Sequence, residues 1–308
     1  MTESPIPDAN SPSLYKYVPI KTLRSILGGT IRFTQPSAFN DPFELLPEVI
    51  VPNGEPERRI SVRFDLVAPR ATMVADSTDV IADGCASSDP MSRDIVQQLN
   101  QMVGILSLSR IRDSLPMWAH YADQYAGAVV EFDGAHDAFA GHFEVEYRTT
   151  RPRWPLSRYM SGNPIPLAEL CAKSVHWAYE EEVRLARALA ECEQRGTDGR
   201  NFLVFVSPLA PLAIRSVIMG ERMPVGDQRD IFNRVKDTHI GLSLAAVSHE
   251  GYEFREEPIK FGVPVSKMTP MVSPRTAHIF SDAGGHFGEF ARWMRDKHPL
   301  SKVVNRPV

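Results

Sequence analysis

Four short stretches of this sequence concentrate side chains that can do chemistry. Tyr15, Lys16 and Tyr17 sit in LYKYV; Asn40, Asp41 and Glu44 in QPSAFNDPFE; His120 and Tyr121 in MWAHYADQYAGAVVEFD; and Glu180, Glu182 and Arg184 in HWAYEEEVRLAR. In strand geometry Glu180, Glu182 and Arg184 share one face, Glu181, Val183 and Leu185 share the other, and Glu182 lies roughly 7 Å from Arg184 along the chain. A cation at that spacing can orient a carboxylate and keep it ionised, as an electrostatic stabiliser must be. Glu182 is therefore the expected catalytic carboxylate and Glu180 its helper, with a surface ion pair as the alternative. In helix geometry the three carboxylates fan apart. His120 adds a titratable ring beside the Tyr121 phenol. The sequence has no Walker loop, GxGxxG, GxSxG or HExxH, so Rossmann hydride transfer, P-loop hydrolysis and serine-hydrolase chemistry have no motif support.

The elements that position these groups follow from periodicity. Residues 14–18 alternate as a strand, Ile20, Leu23 and Leu27 follow helical spacing up to Gly28 and Gly29, and 30–34 form a second strand. Residues 35–44 make a turn-rich loop in which Asn40 can bond its own backbone. Ile95, Val96, Leu99, Met102 and Val103 mark one helix face, broken by Gly104 before a strand at 105–108. Pro116 suits the first turn of a helix that Gly127 ends, followed by an apolar strand at 128–132. Further strands are expected at 143–147, 202–206, 214–219, 243–247 and 252–254, and helices at 167–173, after Asp227 and around 287–295. Residues 147–160 gather Arg148, Arg151, Arg153 and Arg158 with Trp154 and Tyr159, a combination that can hold phosphates and stack bases or simply form a solvated loop. The expected class is α+β, with strand-rich mixed and antiparallel sheets and flanking helices. The expected organisation is a flexible lead at 1–13, a single α+β domain at 14–268 with an insertion near 45–90, and a tail at 269–308 carrying one helix.

Composition bounds the function. The 308 residues are 43% hydrophobic and 23% charged, enough to bury a sizeable core. A formal charge of −4 lacks the footprint of a general nucleic-acid binder, so any such role must come from a local site. Three widely spaced cysteines without a CxxC pair argue against a disulfide framework or zinc knuckle and suggest a reducing cytoplasm. The polar, proline-rich start and the lack of a long apolar run give no support to secretion or membrane insertion.

The succession LYKYVPI, IRFTQPSAFNDPFE, ILSLS, MWAHYADQYAGAVVEFD and HWAYEEEVRL resembles the bacterial DUF2971 family over residues 14–262. That family's KY strand, FNDPFE loop, MWxHYA helix and WxYExExR segment fall on Lys16, Tyr17, Asn40, Asp41, Pro42, Glu44, Trp118, His120, Tyr121, Glu180, Glu182 and Arg184. The resemblance implies a stand-alone accessory protein associated with phage defence or toxicity, possessing an antitoxin or defence partner. The opening LYKYVPIKTLRSILGGTIRF is also similar in layout to DarT-type ADP-ribosyltransferases, with Lys16 where their histidine stands. A lysine cannot accept a hydrogen bond from a ribose hydroxyl, which is a departure from the pattern.

This second resemblance implies an ADP-ribosyltransferase-like fold and NAD as substrate, with a protein or nucleic-acid target. Cleaving a nicotinamide–ribose bond develops positive charge on the ribose carbon, which a nearby carboxylate stabilises more in the transition state than in the ground state. Glu182 or Glu180 would serve, with His120 as a third catalytic candidate. Tyr17 or Tyr121 would stack on nicotinamide, Lys16 or Arg184 would hold the diphosphate, and Asn40 and Asp41 complete the nucleotide-binding set without a metal. One alternative is a nuclease or phosphoesterase with Asp41, Glu44, His120, Glu180 and Glu182 around Mg²⁺ or Mn²⁺. Another is a non-catalytic ligand sensor. All three place the four clusters in one cleft.

Overall fold

The computed structural model describes residues 11–56, 58–66 and 83–304. Most of the expected lead at 1–13, and residues 57 and 67–82 of the expected insertion, lie outside the described residues. The chain divides into two compact units: residues 1–29, 111–138 and 209–308 form the first, and residues 30–110 and 139–208 the second. The expected tail belongs to the first unit and the described part of the expected insertion to the second. Mixed and antiparallel sheets with flanking helices make the class α+β, as the alternating patterns predict.

In the first unit five strands run in the order Phe254–Lys260, Gly241–Val247, Ile214–Met219, Ala128–Asp133 and Ser13–Val18. All neighbours are antiparallel except Ile214–Met219 and Gly241–Val247, which are parallel. That parallel pair needs a crossover, and the helix Val225–Val235 supplies it by burying Ile231 and Val235. Asp227 lies in the first turn of this helix rather than at its cap; Pro224 holds the cap position, and Asp227 instead pairs with Arg24 at 2.7 Å. The helix Ile20–Leu27 buries Leu23 and Ile26, as its spacing requires.

The helix expected up to Gly127 is shorter, Leu115–Tyr121. Asp123, Gln124 and Tyr125 then adopt left-handed φ angles of 49°, 52° and 74°, a costly run for residues with a Cβ. Burial of Trp118 edge-on to Tyr17 and Phe254, together with the Gly127 N–H bond to Ala122 O at 2.7 Å, holds the turn. Gly127 and Gly220 are required here, because a Cβ on them would stand 2.2 Å from Val18 O and 2.1 Å from Tyr125 O.

In the second unit the strand Glu182–Ala188 pairs antiparallel with Val103–Ser109 on one side and Phe143–Glu144 on the other. Gly104 lies inside its strand rather than before it, since a Cβ would stand 2.8 Å from Phe33 Cβ. The helix Asp89–Met102 covers a core that includes Leu45, Val49, Ile95, Leu99, Leu170 and Cys171. Two short pairings matter for the site. Ala172–Ser174 runs parallel to Glu146–Arg148, and Arg153–Pro155 runs parallel to Glu48–Pro52. The helix expected at 167–173 is only Leu167–Leu170, because the chain straightens at Ala172 to make the first of these pairs.

Candidate functional site

The 176–187 stretch resolves its own ambiguity. Residues Val175–Glu180 form a tight 3-10 turn, Glu181 takes a left-handed conformation at φ 40° and is exposed, and the strand begins at Glu182. Period-two alternation then puts Val183 and Leu185 on one buried face and Glu182 and Arg184 on the other. Glu180 does not share that strand face as expected. It ends the preceding turn, where the Ser109 hydroxyl donates to its backbone oxygen at 2.6 Å.

Arg184 is fully buried, so its guanidinium must find partners within the protein. Its Nε donates to Glu182 Oε1 at 2.8 Å and its Nη2 to Glu182 Oε2 at 3.0 Å, a two-point grip. Its Nη1 donates to Glu44 Oε1 at 2.5 Å. Lys173 Nζ donates to Glu182 Oε2 at 3.1 Å and to Glu180 Oε2 at 2.5 Å. Glu44 is delivered from the FNDPFE loop, which Asp41 rather than Asn40 organises: Asp41 Oδ1 accepts the Phe43 N–H at 2.9 Å, and Leu45 then turns left-handed at φ 54°. Asn40 is exposed beside it.

Three carboxylates thus share two cations. Burial alone would raise Glu182, but Arg184 and Lys173 outweigh it and hold its carboxyl down at about 2. Burial would likewise lower the Lys173 ammonium, and Glu182 and Glu180 hold it above its ordinary value. The unbalanced charge falls on Glu44. Burial raises its carboxyl despite Arg184, because that guanidinium already serves Glu182 through two bonds. Glu44 Oε2 is buried and has no hydrogen-bond partner among the described residues. Burial also pushes the Tyr147 phenol up to about 12, which keeps neutral the hydroxyl that accepts the Glu182 N–H at 2.7 Å.

Glu44 and Lys173 line a cavity of 330 Å³ within the second unit. Arg148, Arg151 and Arg153 supply three more cations to its wall, against Asp41, Glu44 and Glu48. Arg148 pairs with Glu146 of its own strand at 2.8 Å, and Arg153 pairs with Glu48 across the parallel strands at 2.7 Å. Arg151 has no ion-pair or hydrogen-bond partner among the described residues. The volume suits a small ligand or part of a larger one, and the converging cations suit an anion. Glu180, Glu182 and Arg184 are not among the lining residues.

Lys16, Tyr17, His120 and Tyr121 belong to the first unit, and the site built here uses the second unit alone. Tyr17 is a core residue: its hydroxyl donates to Ile111 O and accepts the Ser114 N–H, both at 3.1 Å, and burial pushes its phenol well up. Lys16 stands opposite Val130 in the strand register and is half-buried. His120 is exposed, with the half-buried Tyr121 ring 6.2 Å away. No group of three or more His, Cys, Asp or Glu side chains that could hold one metal ion occurs among the described residues. Lys173, which follows an apolar run and carries no motif, is a site residue that the sequence does not single out. Comparison with protein-family models, with curated proteins and with solved structures gave no match.

Proposed function

We propose that the protein is a toxin or phage-defence effector that uses a nucleotide such as NAD, and that the 330 Å³ cavity receives the diphosphate and adjoining ribose of that nucleotide. The observation that supports this reading is the convergence of Arg148, Arg151, Arg153 and Lys173 on one cavity, with Arg151 lacking any partner among the described residues. Arginine is suited to a phosphate because its planar fork donates two parallel hydrogen bonds. In this reading Glu44 is the carboxyl that meets the ligand. Glu182 is a positioning residue, which fixes Arg184 and Lys173 and through them Glu44 and the cationic wall.

The test is calorimetric titration with NAD and ADP-ribose, followed by assay of nicotinamide release with and without a chelator. Binding of both ligands, with release insensitive to the chelator, is the expected result. Release abolished by chelation would move the function to the metal-dependent nuclease or phosphoesterase reading. A second reading, a sensor that binds without turnover, is favoured by one observation: Glu180 and Glu182, the carboxylates expected to do chemistry, are bonded to Lys173 and Arg184. Binding without nicotinamide release would select it.

A further inference from the structure

Glu44 joins two features. It lines the cationic cavity, and it carries a buried carboxylate oxygen with no partner while its other oxygen is held by Arg184. We propose that Glu44 makes anion binding in this cavity proton-linked: its carboxyl takes up a proton as an anionic ligand enters, and Oε2 then donates a hydrogen bond to a ligand oxygen. The inference rests on the reading that the cavity binds a phosphate-bearing ligand.

With every group ionised, Glu44, Glu180 and Glu182 outnumber Arg184 and Lys173, so the cluster carries one excess negative charge. An entering phosphate adds more negative charge beside it, where low dielectric strengthens the repulsion. The proton goes to the carboxylate with fewest bonds. Glu182 accepts three from cations, Glu44 and Glu180 one each, and of those two it is Glu44 that lines the cavity and keeps a buried oxygen without a partner among the described residues. Protonation turns Oε2 from an acceptor that repels a phosphate oxygen into a donor that binds it.

Every neighbouring element bears on this balance. From the strand Glu182–Ala188, Arg184 opposes protonation of Glu44 and Glu182 favours it. From Ala172–Ser174, Lys173 opposes it, while the neighbouring Cys171 thiol stays neutral because burial pushes it up to about 12. Asp41 on the same loop and Glu48 on the strand Glu48–Pro52 add negative charge to the cavity wall, and Arg153 pairs with Glu48. Arg148 is bound to Glu146, and Arg151 lines the cavity.

ADP-ribose is the appropriate probe, because its diphosphate is a diester without the phosphate-monoester ionisation near pH 6. Affinity is measured by calorimetry between about pH 5 and pH 9, a span that covers a raised carboxyl. Wild-type affinity should fall by up to about tenfold per pH unit on the alkaline side, and binding enthalpies in buffers of different ionisation enthalpy should reveal proton uptake. Glu44→Gln keeps the oxygen that accepts from Arg184 and offers an N–H in place of the protonated Oε2. It should bind ADP-ribose with an affinity independent of pH. PH-independent wild-type binding without proton uptake, or an unchanged pH dependence in Glu44→Gln, overturns the inference while leaving the cavity reading intact. If Glu44→Gln fails to fold, as judged by circular dichroism, wild-type proton uptake alone decides. Absence of ADP-ribose binding to the wild type at every pH refutes the cavity reading itself and this inference with it.

Discussion

Replacing Arg184 by methionine removes the cation that both Glu44 and Glu182 contact while keeping most of the side-chain volume. Of its bonds from cations Glu182 retains the one from Lys173, and Glu44 loses its one ion-pair partner among the described residues. Depression of Glu182 to about 2 from an ordinary value near 4.5 corresponds to about 3 kcal/mol of favourable interaction, part of which Lys173 preserves. Leaving a buried charge uncompensated costs about 3–5 kcal/mol, and the two carboxylates relieve some of that by taking up protons. A net loss of about 3–5 kcal/mol at neutral pH is therefore expected. In the variant burial leaves both carboxyls with folded-state values above their unfolded ones, so their contribution to stability is greatest below about pH 4.5 and declines as pH rises through the folded values. The deficit should thus be smaller at about pH 5 than at about pH 8. Urea unfolding followed by circular dichroism at both values is the assay. A loss below about 1 kcal/mol, the size of an exposed pair, or a deficit unchanged with pH would refute the reasoning.

Three further outcomes follow from the same geometry. In the wild type the Glu182 contribution is fully present above its ordinary value of 4.5 and is lost as pH falls from there toward about 2, so Glu182→Gln should flatten the acid limb of a stability profile. Glu182→Gln should also reduce activity in a toxicity or defence assay through loss of positioning, whereas Glu181→Gln, at an exposed left-handed junction, should stay within about 0.5 kcal/mol of wild-type stability and keep activity; equal loss in both would contradict the assignment. Gly220→Ala should cost about 1–3 kcal/mol or more because its Cβ would meet Tyr125 O at 2.1 Å, while Gly226→Ala, with nothing within 4 Å, should be neutral or stabilising by thermal unfolding.

Much of this architecture was legible because periodicity records burial. The strands and helices around Leu14, Leu23, Ile95, Val129 and Ile231 follow from apolar spacing alone, and the shared face of Glu182 and Arg184 follows from strand alternation. What periodicity does not record is where neighbouring strands bring distant residues. Lys173 becomes a partner of Glu182 only through the pairing of Ala172–Ser174 with Glu146–Arg148 and the turn at Glu181. Turn chemistry was legible as a loop in FNDPFE but not to the residue, since Asn40 and Asp41 both favour Asx turns and only burial of Glu44 selects Asp41. The helix through His120 was overextended because burial of Trp118 overrides helical propensity at Asp123, Gln124 and Tyr125. The arginines at 148, 151 and 153 were visible as a basic stretch, yet a solvated loop and a cavity wall share that composition.

In the proposed function the cavity of the second unit binds the phosphate-bearing part of a nucleotide. A crystal structure of the protein with ADP-ribose, paired with a binding titration of Arg151→Ala, tests it most directly. The expected result is the diphosphate against Arg151 and Lys173, a ligand oxygen at Glu44 Oε2, and at least about a tenfold loss of affinity in the variant, of the order expected for one charge-assisted hydrogen bond. ADP-ribose bound elsewhere on the chain, or an Arg151→Ala affinity equal to the wild type, would contradict it.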